Sequence, residues 1–148
     1  MFHRCPGFPA RALALALLLA AGPLACATTQ EFRESDFGDI QKHYTKLVRW
    51  AQFDRARAFV DPEAVGAFDT QAATLARVHV SDYAIRSVEF SPDGATATVR
   101  VTYYAYERTA LVAFAYDEQQ EWSRPDGRAW RVRSSFARRE VAPGEGMF

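Results

Sequence analysis

Two stretches decide the fold: VHVSDYAIRSVEFSPDGATATVRVTYYAYE, residues 78–107, and AFAYDEQQEWSRPDGRAWRVRSSF, residues 113–136. Each carries a Pro-Asp-Gly turn, at residues 92–94 and 125–127. Proline presets φ near −65°, aspartate bonds the neighbouring backbone and glycine accepts positive φ, so each turn between alternating apolar residues predicts a β-hairpin. Before the first turn Val88 and Phe90 share one face. After it Val99, Val101, Tyr103 and Ala105 share one face, and Thr96, Thr98, Arg100, Thr102, Tyr104 and Tyr106 the other. Around the second turn Val112, Phe114 and Tyr116 lead toward Trp122, and Trp130, Val132, Ser134 and Phe136 alternate with Arg131, Arg133 and Ser135. The pattern predicts an antiparallel sheet with one covered and one wet face.

Upstream, the apolar period changes from two to about 3.6. Ile40, Tyr44, Leu47, Val48 and Ala51 form one helical stripe, with Ser35 or Asp36 available to cap it. A short helix follows from Phe53, limited by Pro62, and a weaker helical stretch covers residues 62–76, where Val65, Phe68 and Leu75 are the apolar points. Helices followed by a run of antiparallel strands is an α+β order.

At the N-terminus Arg4 and Arg11 precede an apolar run from Ala12 to Ala21, the length of a secretory h-region and short of the roughly 20 residues that span a bilayer. The sequence Leu24-Ala25-Cys26 behind it resembles the lipobox of bacterial lipoproteins, in which the cysteine is lipidated and becomes the new N-terminus. Small Ala25 fits; the family's leucine three residues before the cysteine is replaced by Pro23. The alternatives are ordinary signal-peptidase cleavage around Ala25-Cys26-Ala27, leaving a soluble chain that starts at Thr28, and an uncleaved membrane helix. The only other cysteine, Cys5, lies in the removed segment, so Cys26 has no disulfide partner. The lipoprotein resemblance implies an exported, membrane-anchored protein; Ala27 in place of aspartate implies the outer membrane, with the domain facing the periplasm or the cell surface. This divides the chain into a signal peptide with a lipobox-like end (1–26), a tether (27–35), one α+β domain (36–136) and a disordered tail (137–148).

Without residues 1–26 the chain keeps 16 basic against 18 acidic residues. That balance gives no electrostatic footprint for nucleic acid. About 120 residues make one domain of ordinary size.

The helix end Trp50-Ala51-Gln52-Phe53-Asp54-Arg55-Ala56, the following Phe59-Val60-Asp61-Pro62 and the terminal hairpin from Trp122 to Val132 resemble the nuclear transport factor 2-like superfamily, over residues 36–136. The resemblance implies N-terminal helices packed on a strongly curved antiparallel sheet, a cone with a pocket at its open end, and dimerisation through the outer sheet face. Pocket walls are then expected from Tyr44, Val48, Phe59, Phe68, Tyr103, Phe114 and Trp130.

Isomerase members of that superfamily, ketosteroid isomerase among them, use an acidic base with a tyrosine or a protonated acid as oxyanion donor. Asp61, Asp69 and Asp82 are the carboxylates to weigh for that role, with Tyr44, Tyr83 and Tyr103 as hydroxyl donors. Asp61 before Pro62 reads first as a cap, and Tyr44 and Tyr103 read first as core tyrosines. His43 and His79 stand without the companion ligands a metal site requires, so no metal and no cofactor is expected. The arginines Arg124, Arg128, Arg131, Arg133, Arg138 and Arg139 read as a wet strand face neutralised by Asp117, Glu118, Glu121 and Asp126. Tyr104 and Tyr106, interleaved with Thr102 and Arg108, read as an interface for a second copy or an envelope partner. The expectation is therefore an envelope lipoprotein binding a small apolar ligand or a protein without catalysis. The alternatives are a ketosteroid-isomerase-like isomerase or lyase and a structural envelope subunit.

Overall fold

A computed structural model describes residues 24–107, 109, 112–141 and 145, for residues 24–35 and Asp126 the backbone alone. The expected signal segment lies, up to Pro23, outside the described residues. Helix α1 (Leu24–Arg49) begins twelve residues before the cap expected at Asp36, so the backbone of the segment read as a tether is helical. It ends in a Schellman motif: Ala51 takes φ 53°, its N–H donates to the Val48 carbonyl, and Gln52 N–H donates to that of Leu47. The chain then makes α2 (Phe53–Ala56), a 3₁₀ turn (Arg57–Phe59), a second (Pro62–Ala64) and α3 (Val65–Leu75). Asp61 caps the second turn by accepting from Glu63 N–H at 2.9 Å.

Four antiparallel strands follow, β1 (Val78–Phe90), β2 (Thr96–Glu107), β3 (Ala113–Ser123) and β4 (Arg131–Glu140), paired in chain order. Both Pro-Asp-Gly turns form as their residues dictate, with Gly94 at φ +66° and Gly127 at φ +67°. Asp93 Oδ1 accepts from Ala95 N–H at 3.0 Å. Strand β4 runs four residues past the domain boundary expected at Phe136. Its outer edge is partly covered, because Val60 bridges Val132 in parallel and Asp61 N–H donates to the Val132 carbonyl. The other edge is β1, with which no further strand pairs among the described residues.

The helices pack on the sheet as expected, but the strongly curved cone does not form. The sheet is open, and its pairing slips only in β1, between Val80 and Asp82 and between Ile85 and Ser87. Bulges bend strands, and β2–β3 and β3–β4 pair throughout without one. The turn residues and alternation that predicted the hairpins carry no information about bulges, so curvature came only from the resemblance.

One core lies between the helices and one sheet face. Phe37, which the helical stripe did not include, is its centre: its ring lies 5.1 Å from Phe90, 5.6 Å from Trp122 and 4.8 Å from Trp130, each edge to face. The inward faces of β2 and β3 are Ala97, Val99, Val101, Tyr103, Ala105 and Phe114, Tyr116, Glu118, Gln120, Trp122, all buried. No helix among the described residues is long and apolar enough to cross a membrane.

Candidate functional site

The β3 alternation that turns Phe114, Tyr116 and Trp122 inward also turns Glu118 and Gln120 inward. Glu118 is only 2% exposed, beneath α1, which presents Tyr44 to it and Gln41 and Thr45 to Gln120. The carboxyl group sits between two tyrosine hydroxyls. Tyr44 donates to Oε1 at 3.0 Å and Tyr103 to Oε2 at 2.8 Å, and Gln120 Nε2 donates to Oε2 at 2.6 Å. Gln120 is itself held: its Nε2 also donates to Thr45 Oγ1, and its Oε1 accepts from Gln41 Nε2 and Trp122 Nε1. This arrangement satisfies polar groups that would otherwise be costly to bury.

Burial pushes the Glu118 carboxyl up from 4.5 to about 7, even though the Gln120, Tyr103, Tyr44 and Ser134 hydrogen bonds favour its ionised form. Burial first, and then the Glu118 charge, raise both tyrosines well above their ordinary value, so Tyr44 and Tyr103 remain proton donors. The Tyr44 hydroxyl also lies 2.9 Å from Ser134 Oγ, and either oxygen can donate. When Glu118 is ionised the bonds run Ser134 to Tyr44 to Oε1. When a proton sits on Oε1, the oxygen with the single donor, both reverse. Ser134 is half-buried, so this chain joins the carboxyl group to the protein surface.

Next to the cluster on the same sheet face is a cavity of about 290 Å³, lined by Thr74, Arg77, Val78, Glu107, Thr109, Tyr116 and Arg138. Tyr116 and Arg138 pair across β3 and β4, and the next inward pair along is Glu118 and Phe136. On that spacing the cavity floor is roughly 7 Å along the strand from Glu118.

The three carboxylates weighed from the sequence lie elsewhere. Asp61 is a cap: the Glu63 N–H it accepts, and then Arg133 beside it, lower its pKa. Asp69 is exposed and pairs with Arg57 at 3.2 Å; Asp82 is exposed and accepts from Tyr83 N–H. Of the expected donors, Tyr44 and Tyr103 meet at Glu118, whereas Tyr83 is half-buried with its ring 6.2 Å from that of Tyr103. Tyr44, Val48, Phe68, Tyr103, Phe114 and Trp130 are buried in the common core, with Phe59 half-buried against it.

Tyr104 and Tyr106 are half-buried on the outer face; Arg86 donates to the Tyr104 hydroxyl and His79 lies 4.9 Å from the Tyr106 ring. His43 lies 5.7 Å from Phe59. Among the described residues no group of three or more His, Cys, Asp and Glu side chains converges to hold a metal. Three of the four arginines of β4 pair with acidic neighbours, Arg133 with Asp61 and Glu63, Arg138 with Glu107 and Arg139 with Asp117, and Arg131 donates to the Ala58 carbonyl. Glu118, read from sequence as one of their counter-charges, faces the other way.

No family model matches the chain, and no curated protein matches it. Among solved structures it is similar to a ketosteroid isomerase-like protein from Erwinia carotovora atroseptica SCRI1043, at 15% identity and a TM-score of 0.51, over 68% of this chain and 89% of that one. The likeness is one of fold alone.

Proposed function

We propose that the domain is a small isomerase or lyase that moves a proton at a carbon next to a carbonyl group, with Glu118 as the acid–base residue. The observation that carries this is the buried Glu118 carboxyl held between the Tyr44 and Tyr103 hydroxyls. A carboxyl poised near 7 takes a carbon-bound proton and returns it without a large mismatch in either direction. A tyrosine hydroxyl that stays protonated stabilises the enolate oxygen that develops as the proton leaves. A small carbonyl substrate approaches from the cavity over Tyr116, whose lining also carries Arg77, Glu107 and Arg138. The similarity to a ketosteroid isomerase-like protein supports the same reaction class.

The test is conversion of a β,γ-unsaturated cyclic ketone to its conjugated isomer, followed by ultraviolet absorbance, with deuterium uptake from heavy water as a second readout. Conversion that depends on Glu118 supports the reading. Binding of the ketone with neither conversion nor deuterium uptake returns the domain to a non-catalytic binding role.

Membrane attachment through Cys26 is a separate part of the proposal, resting on the lipobox-like residues before it. Two or more acyl chains on that cysteine give stable anchoring. Cys26→Ser is expected to abolish acyl labelling and release the protein from the membrane fraction of its host. Unchanged membrane retention contradicts the anchor.

A further inference from the structure

Among the described residues, the polar cluster around Glu118 reaches the surface at one point. Gln41, Tyr44, Thr45, Tyr103, Glu118 and Gln120 are each 2% exposed or less. Ser134, bonded to the Tyr44 hydroxyl, is half-buried. The register explains the difference. Ser134 pairs with Gln120 from β4, an edge strand, and lies two residues beyond Val132, where the Val60 bridge covers that edge. Parity with Val132 turns its side chain toward the cluster, while its backbone stands at the rim of the sheet.

Two hydroxyls address the same carboxyl group and differ in what stands behind them. Tyr44 and Tyr103 are both 0% exposed and donate to Oε1 and Oε2 of Glu118. Behind the Tyr44 oxygen is Ser134 Oγ at 2.9 Å, in a bond that either oxygen can donate. The hydroxyl beside Tyr103 is that of Thr45, itself buried. A protonated Glu118 can therefore lose its proton on the Tyr44 side by a concerted shift. The Oε1 proton passes to the Tyr44 oxygen, the Tyr44 proton to Ser134 Oγ, and the Ser134 proton to a water molecule. Each hydroxyl takes one proton as it gives one, so neither a tyrosinate nor an alkoxide forms. The two bonds end in the direction that the ionised carboxylate requires.

We infer that Ser134 is the proton exit of the Glu118 site, so that a proton taken from carbon is exchanged with solvent before one is returned. This rests on the proton-transfer reading of Glu118 and adds what becomes of the proton. A carboxyl group sealed from water carries the same hydrogen from one carbon to the other. Connected through Tyr44 and Ser134, it delivers a hydrogen from water instead. The same connection gives the domain a further activity, exchange of the hydrogens beside the carbonyl of a saturated ketone that has no double bond to move. Ser134 acts through Tyr44 and touches no reacting atom, so its role is that of a positioning residue.

The first readout needs no substrate: exchange with water of the Tyr44 and Tyr103 hydroxyl protons, followed by ¹H NMR of the full chain and assigned with Tyr44→Phe and Tyr103→Phe. In wild type the Tyr44 proton is expected to exchange tenfold or more faster than the Tyr103 proton. In Ser134→Ala it is expected to slow to the Tyr103 rate, and in Ser134→Thr, which keeps a hydroxyl, to recover. The second readout is deuterium at the newly protonated carbon when the unsaturated ketone is converted in heavy water. Wild type and Ser134→Thr are expected to label nearly every product molecule, and Ser134→Ala to return mostly the substrate's own hydrogen. Circular dichroism confirms that each variant is folded; if Ser134→Ala is not, the comparison of the two hydroxyls in wild type still decides. Equal exchange at Tyr44 and Tyr103 overturns the proposal, as does Tyr44 exchange that Ser134→Ala leaves unchanged. Product labelled as fully by Ser134→Ala as by wild type overturns it too. A chain that converts no ketone yet shows Ser134-dependent exchange at Tyr44 contradicts the proton-transfer reading and supports the exit.

Discussion

Replacing Glu118 by glutamine is expected to lower turnover of the unsaturated ketone by about 10²–10⁴-fold, the usual contribution of a positioned general acid–base group. The variant is expected to fold, for a geometric reason. Oε2 receives two donors, from Tyr103 and Gln120, and the amide oxygen serves them. Oε1 faces Tyr44, whose hydroxyl can accept from the amide nitrogen and donate onward to Ser134. The glutamine therefore imitates the protonated carboxyl group and fills the same volume, but cannot take a proton from carbon. A measured rate within threefold of wild type, in a variant with unchanged circular dichroism, contradicts Glu118 as the acid–base residue.

The second large effect concerns stability against pH. Glu118 holds its proton more tightly folded than unfolded, since its pKa moves from 4.5 to about 7. Between those values the folded chain binds more protons than the unfolded chain, and stability falls as pH rises. The contribution is fully present below 4.5 and lost above about 7. At about 1.4 kcal/mol per pH unit the loss amounts to roughly 3 kcal/mol, a large share of the roughly 5–15 kcal/mol that holds a domain folded. Asp61 and Asp93 have lowered pKa values, so their stabilising contributions are present above 3.8 and fall away on acidification below it. Their window lies outside the one Glu118 controls. Urea unfolding at pH 5 and pH 8 is expected to show wild type less stable at pH 8 by that amount, and Glu118→Gln nearly indifferent to the change.

Local chemistry made much of the fold legible. Proline, aspartate and glycine in fixed order specify a turn whatever the ligand, and the alternation around both turns placed Tyr103, Phe114, Trp122 and Val132 on the covered face, where they lie. The α1 stripe found Tyr44, Leu47 and Val48 but passed over Gln41 and Thr45, because a stripe defined by apolar residues cannot include polar ones that are buried in partnership. Glu118 was hidden for the same reason. Its position between Tyr116 and Trp122 at period two places it inward, and that parity was the available signal; its charge among arginines pointed outward instead. The polar cluster joins residues 41, 44 and 45 to 118 and 120, a pairing that only the packing of α1 across β3 creates. Sheet curvature was illegible for a different reason, since it depends on where pairing slips.

The most direct measurement is the titration of the Glu118 side-chain carboxyl carbon by ¹³C NMR, assigned by comparison with Glu118→Gln. A midpoint close to 7 is the predicted result and establishes a carboxyl group able to trade protons at neutral pH. A midpoint at the ordinary 4.5 means that the group is a permanently ionised part of the core, and it contradicts the proton-transfer role.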